Sequence, residues 1–254
     1  MLKVRVMPTL LYKDTTLVKG KSYDSWRRVG FLMQAIKVYN MREVDELVFL
    51  DITATREGRS PDFQLVDDFA DECFMPLTVG GGIRTIEDVR HLLSVGADKV
   101  SISTSAIYVP DLINEIADTF GAQCCVVSID AKVSENGEYE VYTHSGTQPT
   151  GRDPVDVAQE VAARGAGEIL LNSIDRDGTM EGYDINLIKS ITSAVTIPVI
   201  ASGGAGNYEH MVQAIKLGGA SAVAAAAIFH FTQQTPLEAK KYMKEHGINT
   251  RVYF

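Results

Sequence analysis

The chain has 254 residues, 45% of them hydrophobic, and its 33 acidic against 24 basic side chains give a formal net charge of −9. That length suits one closed α/β domain and is short for two independent ones. The acidic balance excludes nucleic acid or an anionic membrane as the main partner, because phosphate-rich surfaces are held by clustered Lys and Arg, while local basic sites for a small phosphorylated ligand remain compatible with it.

The first predicted strand covers residues 4–10, with Lys3 and Arg5 inside the strand pattern where a signal segment would need an apolar core. No apolar run anywhere approaches ~20 residues, so a soluble, cytoplasmic protein without membrane spans is expected. Residues 13–25, rich in Lys, Thr, Gly and Ser, have the length of a mobile lid and contain Lys19. Strand 46–51 then ends in LDIT (50–53), and a helical pattern over 63–73 leads to strand 76–79 and the glycine turn VGGGIR (79–84). Strand 99–102 ends in SIST (101–104), and a helix over 111–120 follows Pro110, with Leu112, Ile113, Ile116, Ala117 and Phe120 at helical spacing. The second half opens with strand 124–130. An alternating stretch, 132–144, turns about Glu135-Asn136-Gly137 as a hairpin expected over the barrel mouth. Strand 168–172 precedes SIDRDGT (173–179), strand 198–202 runs into ASGGAG (201–206), and strand 222–226 runs into AAAAI (224–228).

The two halves match at a spacing of 122. Glu46 falls on Glu168, Pro76 on Pro198, Gly81 and Gly82 on Gly203 and Gly204, and Gly96 on Gly218. Eight continuous apolar strands alternating with helices in about 250 residues predict a (β/α)₈ TIM barrel, one domain over 1–254 built from half-barrels 1–122 and 123–254. A doubly wound open sheet fits less well, since it would leave two edges to protect. The three cysteines, Cys73, Cys124 and Cys125, lack metal-ligand spacing and read as packing residues, so neither disulfide nor metal site is expected.

In such a barrel the reacting groups come from strand carboxyl ends and the loops after them. That selects Leu11, Asp51, Gly80, Gly81, Gly82, Ser103, Thr104, Asp130, Asn172, Asp175, Asp177, Ser202, Gly203, Gly204, Ala226 and Ala227. The paired glycine turns predict two anion cradles and hence a ligand phosphorylated at both ends. Between them Asp51, Asp130 and Asp177 are candidate general acids and bases. At the opposite end Arg5, Glu46, Lys99 and Glu168 lie at strand starts. From spacing alone they form a structural salt-bridge plug.

With the glycine repeats, LDIT, GADKVSI (96–102), SIDRDGT, ASGGAG and HGINTR (246–251), the chain resembles the HisF family, the cyclase subunits of imidazole glycerol phosphate synthase, over its whole length. The phosphosugar isomerases of the HisA type share the doubled barrel, but GADKVSI followed by SIDRDGT is closer to the cyclase side. The resemblance implies a HisH-like glutaminase docked at the barrel bottom, with ammonia passing through the barrel to the top. Arg5, Glu46, Lys99 and Glu168 then match the ammonia gate, Asp98 and Gln123 the glutaminase contact, and Lys19 a substrate-holding lysine. No cofactor is implied.

Some positions depart from that pattern. Thr9-Leu10-Leu11 stands where the family has Cys-Leu-Asp, Ser103 where it has Asn, Asn172 where it has Thr, and Ala227 where a phosphate-binding Ser is usual. Leucine has no titratable proton, so half of the family's acid/base pair is missing, and Asp14 is the nearest candidate replacement. EVDELVFLDITAT (43–55), GRSPDF (58–63) and LNSIDRDG (171–178) are similar to the diverged WbuZ-type paralogues of surface-polysaccharide clusters. These pass ammonia to a third enzyme that makes an amidinated sugar. The expected function is therefore a HisF-like synthase subunit supporting amidation or amidination. The alternatives are an authentic cyclase, converting a bisphosphorylated histidine precursor (PRFAR) and ammonia to imidazole glycerol phosphate and AICAR, or a noncatalytic scaffold that activates a glutaminase.

Overall fold

The computed structural model describes residues 3–42 and 44–252. Residues 1–2, 43 and 253–254, at the ends and inside the predicted domain, lie outside the described residues. Twelve strands join in one sheet: β1 Arg5–Lys13, β2 Thr16–Lys21, β3 Asp24–Gly30, β4 Leu47–Asp51, β5 Leu77–Gly80, β6 Lys99–Ile102, β7 Cys125–Val133, β8 Tyr139–Thr143, β9 Gln148–Pro149, β10 Glu168–Ser173, β11 Val199–Ser202 and β12 Ala222–Ala225. Eight of them, β1, β4, β5, β6, β7, β10, β11 and β12, pair in parallel. The ring closes through β7 against β10 and β12 against β1. This is the expected (β/α)₈ barrel, and closure leaves none of the eight with a free edge.

The helices around it are α1 Leu32–Met41, α2 Phe63–Ala70, α3 Ile86–Ser94, α4 Thr104–Tyr108, α5 Asp111–Phe120, α6 Pro154–Ala163, α7 Ile185–Ala194, α8 Tyr208–Lys216, α9 Ala227–Phe231 and α10 Pro236–Glu245. Their apolar stripes and the outward side chains of the strands form the larger hydrophobic cluster. A separate cluster of Met7, Val48, Val126, Leu170, Ile200, Ala222 and Ala224 fills the tube itself. Local signals match the starts: Thr85 caps α3 in a reciprocal capping box, and Asp153 with Pro154 opens α6. Cys125 is buried, and Cys73 and Cys124 are half-buried; burial pushes the Cys125 thiol up to about 12, consistent with packing.

The eight barrel strands lie where the apolar runs predict them, and the α5 span is the predicted one. Two strands run longer. β7 continues into the predicted hairpin with β8, Lys132 opposite Glu140, around Gly137 at φ 86°. β1 continues likewise into β2. Here the expectation for residues 13–25 requires correction: in place of a loop, β2 and β3 form an antiparallel hairpin attached to β1. Its first turn has Asp14 and Thr15 at positive φ and its second has Ser22 and Tyr23 at φ 49° and 60°, as two-residue turns of type I′ require. Leu17, Val18 and Lys19 are buried, so a stretch that looks polar in composition is held by side chains covered on both faces of the strand. Among the described residues no helix is long and apolar enough to cross a membrane.

A candidate active site at the strand carboxyl ends

One cavity opens at the carboxyl ends of the barrel strands, with about 1170 Å³ of empty space when its open mouth is included. The predicted residues Lys19, Asp51, Gly81, Gly82, Ser103, Thr104, Asp130, Asn172 and Asp177 all line it. So do Ser202, Gly203, Gly204, Ala226 and Ala227, and the apolar Leu11. Gly80, Asp175 and Asp14 do not. Asp175 accepts the Val133 amide at 2.9 Å, and Asp14 sits exposed in the β1–β2 turn. Asp14 therefore does not replace a carboxylate at position 11.

The three cavity carboxylates differ in their surroundings. Asp51 accepts the amides of Thr53 and Ala54 at 3.0 and 3.1 Å and pairs with Arg59 at 3.2 Å, so its lone pairs are spent on the turn after β4. Asp177 is held by Lys19, whose Nζ lies 2.7 and 2.6 Å from its two oxygens, with both side chains buried. Among the described residues no Lys or Arg pairs with Asp130, which is 8% exposed at the end of an apolar run. It accepts the Tyr23 hydroxyl at 2.6 Å, with Ser103 and Ser128 at 3.4 and 3.5 Å. Burial pushes its carboxyl up to about 6, the Tyr23 hydrogen bond opposes that, and the nearby Asp177 charge adds to it. Of the three, Asp130 is the one poised to exchange a proton near neutrality.

Both glycine turns lie at the mouth, yet their glycines are demanded by the backbone before any ligand is considered. Gly81 and Gly204 have φ of 110° and 111°, and a Cβ on either would stand 2.2 Å from a carbonyl oxygen, that of Asp51 or Gly182. The two halves also resemble each other at the short helices. Ser103 and Ala226, the residues just before α4 and α9, share an unusual backbone, φ/ψ of −124°/−77° and −125°/−65°, and neither side chain caps its helix. Leading N–H groups of this kind attract an anion.

At the other end of the tube the predicted ring is assembled. Arg5 reaches Glu46 at 2.6 Å and Glu168 at 2.8 Å, and Lys99 reaches the same two at 3.0 and 3.3 Å. Thr78 adds a hydrogen bond to Glu46 at 2.7 Å. Two cations and two anions cancel and close the barrel bottom in this conformation. Asp98 and Gln123 are exposed on the same face, where Asp98 also accepts the Leu77 amide at 2.8 Å. Between ring and cavity lies the apolar cluster inside the tube. Above it Thr9 Oγ1 and Ser101 Oγ, both lining the cavity, are buried without a partner.

A closed barrel with paired glycine turns restricts the family. A model of the histidine biosynthesis proteins matches residues 5–235. The chain belongs to the histidine biosynthesis protein family. Members of this family are typically isomerases or cyclases of that pathway. The match stops before α10; beyond that helix Thr250 bridges to Val4, and the Val4 amide donates to the Asn249 carbonyl at 2.8 Å.

Sequence reasoning missed Tyr23 and Trp26, which come from the hairpin and line the cavity, and Ser145, whose hydroxyl donates to the Ile52 carbonyl at 2.7 Å. Ser145 carried a weak signal, since it follows the predicted hairpin. Tyr23 carried none, because nothing in residues 13–25 marks which of them the turn would aim at Asp130.

Proposed function

We propose that this chain is the synthase-side subunit of a glutamine amidotransferase, taking up ammonia at the barrel bottom from a HisH-like glutaminase and delivering it to amidation or amidination chemistry in surface-polysaccharide sugar biosynthesis. The observation that carries the reading is the ring of Arg5, Glu46, Lys99 and Glu168 at the foot of the barrel whose top holds the cavity. A neutral charge ring can part and reclose around a small uncharged molecule, and the apolar lining above it excludes ammonium while tolerating ammonia. Leu11 supports a role outside histidine synthesis. A positioned acid or base contributes about 10²- to 10⁴-fold in rate, and leucine supplies none. The two cradles favour a phosphorylated ligand. Under this reading a third enzyme completes the amidination, and Asp98 and Gln123 face the glutaminase.

The test is reconstitution. Purified chain, a HisH-like glutaminase, glutamine and PRFAR are expected to give stimulated glutamine hydrolysis with little imidazole glycerol phosphate. Robust formation of that product overturns the reading in favour of an authentic cyclase, which the Tyr23–Asp130 contact at 2.6 Å favours as the second possibility. Lys99→Ala separates channel from scaffold. A channel leaks ammonia to the medium when the ring is broken, whereas a scaffold that only activates the glutaminase is unaffected.

A further inference from the structure

Tyr23 stands at the tip of the β2–β3 hairpin, in the turn between the paired residues Lys21 and Asp24. Its φ of 60° puts an aromatic side chain in the left-handed region, where asparagine or glycine would sit with less strain. Such strain persists only where surrounding contacts hold it. The contacts here are specific. The Tyr23 hydroxyl donates to Asp130 Oδ1 at 2.6 Å and accepts from Asn172 Nδ2. Its ring lies against Gly146, where a Cβ would come within 2.6 Å of it. The neighbouring Ser22 amide donates to the Asp177 carbonyl at 2.8 Å, and a Cβ on Gly178 would strike the Gly20 carbonyl oxygen at 2.1 Å. The hairpin is thus seated on the mouth with one hydroxyl placed inside the cavity.

The hydrogen bonds run one way: Asn172 donates to Tyr23, and Tyr23 donates to Asp130. One lone pair of the Tyr23 oxygen is left to accept from an occupant of the cavity.

We propose that Tyr23 is a proton-relay residue, through whose hydroxyl Asp130 takes a proton from an N–H or O–H donor bound in the cavity. The donor's bond to hydrogen breaks and its electron pair stays on the ligand. That proton arrives on the Tyr23 oxygen as the Tyr23 hydroxyl proton passes to Asp130 Oδ1, leaving a neutral tyrosine and a neutral carboxylic acid. The groups facing Asp130 fit this direction of travel. They are Tyr23 from the hairpin, Ser103 from the end of β6, Ser128 on its own strand and Asn172 on β10; the charged neighbour is Asp177, itself paired with Lys19. Burial and the charges of Asp130 and Asp177 keep the Tyr23 phenol protonated well above its usual range, so the hydroxyl serves as a conduit and not as a phenolate.

The inference rests on the proposed function only for the identity of what is turned over. Its first test therefore needs no substrate. The Asp130 carboxyl is followed by carbon NMR titration in the wild type and in Tyr23→Phe, with Asp130→Asn to assign the signal and the emission of Trp26, the single tryptophan, to verify that the hairpin is still seated. Loss of a donor to the charged form moves the Asp130 titration upward by about one pH unit. An unmoved titration with a seated hairpin overturns the relay. In the second test, glutamine-driven turnover of PRFAR, or of the amidination acceptor with the third enzyme present, is measured against pH in the assembled complex. Tyr23→Phe is expected to lower kcat at least 10-fold with KM little changed, and to displace the acidic limb. A fall in KM-dependent binding alone, with the pH profile intact, assigns Tyr23 to structure and overturns the proposal. If the assembled enzymes turn over neither compound, the proposed function falls, and an unmoved Asp130 titration still overturns the relay.

Discussion

At the scale of single residues, the chemistry of the mouth turns on which carboxylate is left uncompensated. Asp51 is satisfied by its own turn and Asp177 by Lys19, which leaves Asp130, raised to about 6. An acid whose folded-state value is raised binds its proton more tightly in the folded chain. Below the ordinary value of about 4 both states are protonated and nothing is lost. Stability falls as pH rises from there to about 6, and the full cost persists above it. Asp130→Asn is therefore expected to stabilise the protein by about 1–3 kcal/mol near pH 8, with the gain vanishing below about pH 4. Urea unfolding at the two pH values measures this, and equal stability near pH 8 would mean that the Asp130 charge is as well accommodated folded as in water. Asp130 was legible in the sequence, because a carboxylate ending an otherwise apolar strand has few bland explanations. Tyr23 was not, because its partner lies 107 positions away.

Among the elements, the β2–β3 hairpin departs most from expectation and contributes most to the site. Lys, Thr, Gly and Ser read as loop composition, but the strands form by pairing with β1 and by burying Leu17, Val18 and Lys19. Its seat on the second half depends on the Lys19–Asp177 pair, buried on both sides. Removing one member of such a pair leaves the other charged and desolvated. Lys19→Ala is expected to destabilise the hairpin by about 2 kcal/mol or more. Hydrogen exchange of the hairpin amides should quicken while β10 and β11 keep their protection, and Trp26 emission should shift to the red. Uniform exchange in all strands would mean that the hairpin is held by its β1 pairing alone. The second hairpin, β7–β8, was legible because its Asn-Gly turn has a recognised backbone preference.

The whole molecule is a ring that must be closed twice, once through β12 against β1 and once by the helix that covers that seam. Lys240 in α10 is fully buried, and its Nζ lies 3.3 Å from Asp45, whose other oxygen accepts the Val6 amide at 3.0 Å. The final helix is thereby tied to the first and second barrel strands. Lys240→Met keeps the volume and removes the charge opposite Asp45. Unfolding free energy near pH 7 is expected to drop by about 3 kcal/mol, and a further Asp45→Asn substitution to restore part of the loss. A double variant no more stable than Lys240→Met alone would show that lost packing, not the charge, is responsible. The bottom ring belongs to this scale too, since Arg5, Glu46, Lys99 and Glu168 come from four strands and meet only because the barrel closes.

By itself, the sequence determined the repeat of 122, the eight strands, the glycine turns and the ends of the tube at which charges would collect. These follow from periodicity and from the rule that parallel strands put all their starts at one end and all their finishes at the other. Only the tertiary structure decided which acids would be neutralised, that residues 16–30 are strands, and that a tyrosine hydroxyl would stand on Asp130. The physical reason is range. Apolar patterning acts between near neighbours in the chain, whereas a hydrogen bond or ion pair across the mouth depends on where a hairpin docks. That docking is set by the summed burial of many side chains, none of which marks its distant partner.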